Sequence, residues 1–243
     1  MNILGIIPAR YASTRFPGKP LVDIAGKSMI RRVYEQAKKC ADLSEVIVAT
    51  DDERISDHVK EFDGVAVLTS TEHQSGTDRC AEVALSYRQY DVIINIQGDE
   101  PYIDPGQISK LTSCFNTPGT QIATLIKKIQ TEQELFNPNS PKVLVNNLSE
   151  AIYFSRSPLP HIRGQEQQNW LKHFTYFKHI GIYGYRADVL QEITKLPVSA
   201  LEKAESLEQL RWIENGYKIK VTETEIETFA VDTLEDLKNL KIL

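Results

Sequence analysis

The chain has 243 residues, with 28 Lys+Arg against 33 Asp+Glu, a formal charge of −5, and 41% hydrophobic and 25% charged residues. These proportions belong to an ordinary globular protein, and the acidic balance argues against nonspecific nucleic-acid or anionic-membrane partners, which are met by surplus positive charge. No apolar run approaches the roughly 18 to 20 residues of a membrane span, and the opening segment carries Arg10, Arg15 and Pro8 in place of a signal peptide's apolar core, so a cytoplasmic location is expected.

In chain order, β-rich runs at 3–7, 45–49, 65–68 and 92–96 predict strands. Between them, Met29, Ile30, Val33, Tyr34 and Ala37, and then Cys80, Ala81, Ala84 and Leu85, recur at helical spacing, so each helix is apolar on one side. Strand, helix, strand in this order predicts an α/β fold with an open, mostly parallel sheet flanked by helices on both faces. Cys40, Cys80 and Cys114 all fall on stretches that read as helix, form no C-x-x-C pair, and are expected as packed, non-catalytic thiols.

From Gln121 the rhythm changes. Runs at 121–126, 142–145, 151–154 and 178–185 alternate with Pro-rich turns, predicting a mixed rather than wound second half. Residues 155–174 hold two His, two Pro and a Trp with little periodicity and read as an excursion able to pack on another subunit. Helical spacing returns at 186–195 and 201–215, with Leu207, Leu210 and Ile213 as a core stripe. A strand at 217–222, a β-rich segment at 227–231 and a last helix carrying Leu234, Leu237 and Leu240 follow, and Thr233 with Asp236 makes its capping box. The whole of 1–243 reads as one domain, with 151–185 a subregion inside it.

The loop after the first strand, Ile7-Pro8-Ala9-Arg10-Tyr11-Ala12-Ser13-Thr14-Arg15-Phe16-Pro17-Gly18-Lys19-Pro20-Leu21, supplies three cations, two hydroxyls and a glycine. Such a loop leaves the carboxyl end of a parallel strand, where open α/β sheets bind ligands, and its groups suit polyphosphate oxygens, although a solvated surface loop has the same composition. It is neither a P-loop nor a dinucleotide fingerprint, since G-x-x-x-x-G-K-S/T and G-x-G-x-x-G are both absent from the chain. Asn95-Ile96-Gln97-Gly98-Asp99-Glu100-Pro101 follows another apolar strand, so Asp99 and Glu100 stand at the same edge. There they can either hold Mg²⁺ against phosphate or simply form a turn. In His73-Gln74-Ser75-Gly76-Thr77-Asp78-Arg79 the polar density suits a base and ribose, while Thr77 alone would serve as an N-cap.

Taken in order, I-P-A-R-x-x-S-T-R-x-P-G-K-P-L, H-Q-S-G-T-D-R, Q-G-D-E-P, Y-F-S-R, H-I-G-I-Y-G-Y-R, L-E-Q-L-R and V-D-T-x-E-D-L resemble the 3-deoxy-manno-octulosonate (Kdo) cytidylyltransferases, the CMP-Kdo synthetases of lipopolysaccharide assembly, from Ile7 to Leu237. The opening loop is shared with CMP-sialic acid synthetases, whereas the motifs at 179–186 and 207–211 are narrower. The resemblance implies a nucleotide-diphospho-sugar transferase-like fold, transfer of CMP from CTP to Kdo with release of pyrophosphate, Mg²⁺ as cofactor, and a homodimer formed partly by 151–185. It matches Arg10, Ser13, Arg15 and Lys19 to the nucleotide loop, with Arg15 and Lys19 on the phosphates. His73, Gln74, Ser75, Gly76, Thr77 and Arg79 match the base and ribose wall, and Asp99 and Asp232 the metal-binding aspartates. Gln97, Arg156, Arg163, His179, Tyr183, Glu208 and Gln209 match the sugar-acid pocket. Lys19, Arg15, Asp99 and Asp232 are thereby the candidates for catalysis. His161 stands where the family has an aromatic residue.

Bland readings accompany several of these residues. Asp232 precedes the cap of the last helix and could serve its dipole. Glu208 and Gln209 could form an exposed helical face, and His179 could be a core histidine. His161, His173, Trp170 and Trp212 read as packing or interfacial. The alternative functions are a cytidylyltransferase for sialic acid or a related sugar acid, and an inactive nucleotide-binding homologue.

Overall fold

A computed structural model describes residues 1–12, 16–227 and 229–240. Its strands are β1 (Ile3–Ala9), β2 (Asp23–Ile24), β3 (Lys27–Ser28), β4 (Glu45–Thr50), β5 (Ala66–Leu68), β6 (Val92–Asn95), β7 (Ile122–Lys128), β8 (Lys142–Val145), β9 (Ala151–Ser155), β10 (Phe177–Arg186) and β11 (Ile219–Glu223). All but the small β2–β3 hairpin join one sheet, whose main path runs β11-β7-β10-β6-β1-β4-β5. The pairs β1–β4, β1–β6, β4–β5 and β7–β11 are parallel, while β10 is antiparallel to both β6 and β7. The β8–β9 hairpin hangs from the start of β10 through Phe177↔Val143 and Lys178↔Lys142. The expected wound first half and mixed second half are both present.

Side-chain alternation sorts the core into two layers. Ile3, Ile7, Val46, Val48, Val92 and Ile94 pack with Ile30, Val33, Ile55 and Ile108 on one face. Leu4, Ile6, Ile47, Ala49 and Ile93 pack with Cys80, Ala84, Leu190, Leu210 and Trp212 on the other. Strands buried on both faces explain why the first-half runs are continuously apolar.

Three expectations are corrected. The stretch 201–215 forms two helices, Ala200–Glu205 and Gln209–Glu214, broken where Ser206 adopts φ 52°. The apolar period runs through the break because both pieces lie on the same core face, and periodicity alone cannot register a left-handed cap. Segment 227–231 forms no strand among its described residues. It is held instead by single contacts, such as the Val231 N–H donating to the Asp99 carbonyl at 2.9 Å. Cys40 lies in a turn beyond the helix Met29–Ala37, although it is buried like the other two cysteines. In the last helix, Leu237 is buried but Leu234 is exposed. The capping box there is present: the Thr233 N–H donates to Asp236 Oδ2 (2.8 Å) and the Asp236 N–H to Thr233 Oγ1 (3.2 Å).

Trp170 and Tyr176 of the 151–185 subregion share a small core with Ile129 and Leu135 from the preceding part of the chain. Tyr176 Oη donates to the Pro160 carbonyl at 2.7 Å, and His161 packs edge-on against Trp170 with ring centroids 5.1 Å apart.

Candidate active site

The carboxyl ends of β1 and β6 lie side by side, and their loops are compressed against Pro8. A Cβ on Gly98 would come within 2.8 Å of the Pro8 carbonyl oxygen, and one on Gly76 within 3.1 Å of Pro8 Cγ. Glycine is required at 98 and relieves a tight contact at 76, and these approaches bring three sequence-distant loops to one edge. Beyond β1, Gly18 takes φ 72° and donates its N–H to the Tyr11 carbonyl at 2.9 Å, closing the loop and turning Lys19 back over the sheet. Lys19 Nζ then donates to Asp99 Oδ2 at 2.9 Å and to Asp232 Oδ1 at 3.4 Å. Both carboxylates therefore converge on one ammonium. Those two contacts laid end to end fall short of the roughly 8 Å beyond which the carboxylates could not share one ion.

A cleft of about 260 Å³ opens here, lined by Arg10, Lys19, His73, Gln74, Ser75, Gly76, Arg79, Gln97, Asp99 and Asp232, with Pro8, Ala9, Pro20 and Gly98 between them. Ser13 and Arg15 lie outside the described residues. The sequence reading missed the four non-polar liners because it weighed only polar groups. Pro8, Pro20 and Gly98 were nonetheless legible as the rigid or compact neighbours of charged loop residues.

The helix Gly76–Ser86 begins with Ser75 as N-cap: Ser75 Oγ accepts from the Asp78 N–H and the Asp78 carboxylate accepts in return, a capping box that leaves Thr77 free of that duty. Thr77 is 3% exposed and is absent from the cleft wall; its hydroxyl donates to Glu208 Oε2 at 2.8 Å. Arg79 is buried, and its guanidinium is held by Asp51 Oδ2 at 2.8 Å and by Thr69 Oγ1. Asp51, at the end of β4, was not foreseen as its partner. His73 Nε2 meets Glu82, and Gln74 Nε2 donates to the Glu72 carbonyl at 3.0 Å.

The sugar-acid residues divide into two groups. Gln97 lies on the cleft and donates from Nε2 to the Gly181 carbonyl at 2.8 Å, at an irregularity of β10 where Gly181 and Ile182 are left out of register with β7. Because two residues are skipped, His179 and Tyr183 stay on one face and their ring centroids are 5.1 Å apart. Glu208 and Gln209 reach the same interior from the helix start, and Gln209, at 5% exposed, is no solvated face. Four buried polar atoms among the described residues have no hydrogen-bond partner: Asn95 Oδ1, Tyr183 Oη, Tyr185 Oη and Gln209 Nε2.

Burial sets the charge state of this interior. It raises the Glu208 carboxyl above its ordinary value against the opposing bonds from Thr77 and Ser75. It lowers His179, whose Nε2 lies 3.0 Å from Thr124 Oγ1, to about 3, and it raises the Tyr183 and Tyr185 hydroxyls with further help from the Glu208 charge. Arg156 and Arg163 are not brought into this group. The Arg156 guanidinium is spent on main-chain carbonyls, Glu205 at 2.7 Å, Pro138 at 3.0 Å and Ser206 at 3.3 Å, and Arg163 is exposed on the excursion.

The cytidylyltransferase family model matches residues 4–219, a span that contains β1 through the start of β11. The chain belongs to the cytidylyltransferase family. Within it, the chain is 60% identical to 3-deoxy-manno-octulosonate cytidylyltransferase of Parabacteroides distasonis, with 98% of this chain and 96% of the relative covered, and 55% identical to that of Bacteroides thetaiotaomicron over the same shares. Among solved structures it resembles a CMP:2-keto-3-deoxy-manno-octonic acid synthetase complexed with CTP, at 44% identity and a TM-score of 0.92, covering 100% of this chain and 98% of that one. The fold, though not the sequence, extends to 4-diphosphocytidyl-2C-methyl-D-erythritol synthase of Anaerococcus prevotii, with a TM-score of 0.63 at 13% identity and 99% and 97% of the two chains covered.

Proposed function

We propose that this cytidylyltransferase moves CMP from CTP to the anomeric 2-hydroxyl of Kdo, giving CMP-Kdo and pyrophosphate and so activating the sugar for lipopolysaccharide assembly. The observation that carries this reading is the convergence of Lys19, Asp99 and Asp232 in a cleft walled by Ser75 and Gly76, next to which Thr77 turns inward to bond Glu208 in a buried polar interior. The names of its relatives supply the two substrates: CTP in the solved complex, and Kdo in the curated enzymes.

The sugar hydroxyl attacks the α-phosphorus, the bond from that phosphorus to the bridging oxygen breaks, pyrophosphate leaves, and the hydroxyl proton passes to solvent. The chain need supply no covalent nucleophile, and its three buried cysteines fit that role of bystander. Arg10 and Lys19 offset phosphate charge, while the rigid helix start at Ser75 and Gly76 walls the nucleotide, so positioning and electrostatics carry the chemistry. Asp99 and Asp232 suit Mg²⁺, being two hard carboxylates at one edge with room for phosphate oxygens. When bound, the ion would supply Lewis-acid stabilisation of charge on the reacting oxygens. A cytoplasmic homodimer is part of the same reading.

Pyrophosphate release with CTP and Mg²⁺ across Kdo, N-acetylneuraminic acid and no sugar tests it. Turnover with Kdo is expected. Turnover confined to N-acetylneuraminic acid would move the enzyme to the sialic acid branch, and none with any sugar would leave an inactive homologue.

A further inference from the structure

Thr77 belongs to the segment His73 to Arg79, whose neighbours Ser75 and Gly76 line the nucleotide cleft, yet its own side chain turns the other way. It is the second residue of a helix fixed by a capping box and packed on β1 and β6, so its hydroxyl is carried on a fixed element. That hydroxyl donates at 2.8 Å to Glu208 Oε2, and Glu208 starts the short helix that also presents Gln209. The buried Tyr183 and Tyr185 hydroxyls lie in the field of that carboxyl, with Thr124 and Thr77 beside them, and Nε2 of the next residue, Gln209, is buried without a partner. A buried polar group left unbonded is costly, so Gln209 Nε2 marks a place for an acceptor that arrives with a ligand. A carboxyl beside it can orient such a ligand only if its own rotation is stopped, and Thr77, with Ser75, is a side chain that stops it.

We propose that Thr77 is a positioning residue for the acceptor sugar: through Glu208 it sets the sugar-acid subsite in fixed register with the nucleotide wall formed by Ser75 and Gly76. The proposal rests on the function given above. It reassigns Thr77 from contacting the base and ribose to tying the two subsites together, so that the acceptor hydroxyl and the α-phosphorus are held at one spacing. Small errors in that spacing reduce turnover steeply.

The test is steady-state pyrophosphate release by Thr77→Val, Thr77→Ser and wild type, with Kdo and CTP varied separately. Loss of one hydrogen bond to a buried carboxyl is expected to raise the KM for Kdo about 10- to 100-fold, leave the KM for CTP within about twofold, and be reversed in Thr77→Ser, which keeps the donor. In a Glu208→Ala background, Thr77→Val is expected to have no further effect on the KM for Kdo, because the group it acts through is gone. Should Thr77→Val fail to give native circular dichroism, Thr77→Ala is read in the same way. A rise in the KM for CTP with that for Kdo unchanged would return Thr77 to the nucleotide, and equal constants in all variants would overturn the proposal. Wild-type enzyme without turnover on Kdo would remove the functional reading itself, and is seen before any variant is compared.

Discussion

Lys19 joins two carboxylates from distant parts of the chain, one ammonium spanning Asp99 and Asp232. Its side chain and that of Asp99 are 16% and 25% exposed, so the contact lies in the cleft and not on open surface. Lys19→Ala is expected to lower kcat/KM for CTP by roughly 10² with native circular dichroism, the scale of losing a charge-assisted contact at the reacting phosphate; near wild-type turnover would take Lys19 out of the phosphate site. Asp232 has two readings that the geometry separates. Thr233 and Asp236 cap the last helix, while the Asp232 side chain points to Lys19. Asp232→Asn should therefore keep the Tm but lose roughly 10² in Mg²⁺-dependent turnover, and a folded variant with intact turnover would leave it only the helix-start role. His179 gives a pH prediction. Its native pKa, pushed down to about 3 by burial, lies below the unfolded value, so the unfolded chain binds the extra proton and stability falls as pH drops through that window. Wild type should lose up to about 1.4 kcal/mol per pH unit more than His179→Asn between about pH 6.5 and 5, measured by urea unfolding; parallel curves would show an accessible imidazole. At this scale the meeting of Lys19, Asp99 and Asp232 was legible because opposite charges on loops at one sheet edge are drawn together. The roles of Thr77, Arg79 and Arg156 were not, because a hydroxyl or guanidinium in a motif does not reveal which way it points.

Between elements, the β8–β9 hairpin and the paired helices that carry Glu208 are joined by buried cations rather than by apolar packing alone. Lys142, on β8, is 1% exposed, and its ammonium donates to the carbonyls of Asn137, Ser140 and Arg156 at 2.7, 2.9 and 2.8 Å. The Arg156 side chain then grips Glu205 and Ser206, the residues at the helix break, and Arg211 closes the pair by bonding Glu202 through two nitrogens at 2.6 and 2.7 Å. This chain of contacts fixes where Glu208 begins its helix. Lys142→Met preserves length but leaves three buried carbonyls without their donor, partly offset because a buried charge is also removed. A net loss of about 2 to 4 kcal/mol is expected from urea unfolding. A loss under about 0.5 kcal/mol would mean that water replaces the ammonium at no cost. The sequence showed the strands and the helical period here, since those depend on which residues are apolar. It did not show the break at Ser206, because a single left-handed residue leaves no mark on that pattern.

For the whole molecule, the two halves carry different duties. The parallel half presents the nucleotide edge, and the mixed half supplies His179, Tyr183, Glu208 and Gln209 together with an outer aromatic surface. On that surface Phe136 and Phe174 are 36% and 39% exposed, and they pack at ring-centroid distances of 5.9 Å on Trp170 and 5.0 Å on Tyr176, so they are continuous with the small core beneath and not isolated apolar residues. Ile152 and Leu148, on and beside the β8–β9 hairpin, are exposed as well. Scattered exposed apolar groups need no explanation, but an aromatic group resting on a buried tryptophan is the composition of an interface core. A second copy of the chain is the partner expected from the homodimeric reading, and light scattering after size exclusion should give the mass of two chains at micromolar concentration. Phe174→Glu places a charge where that contact would desolvate it, and should shift the mass toward one chain with unchanged circular dichroism. Glu is well tolerated at an exposed position of a monomer, so a dimer unaffected by this change would put the interface elsewhere on the molecule. A wild-type monomer across the concentration range would remove the dimer altogether and leave 151–185 with only its packing on the body of the chain.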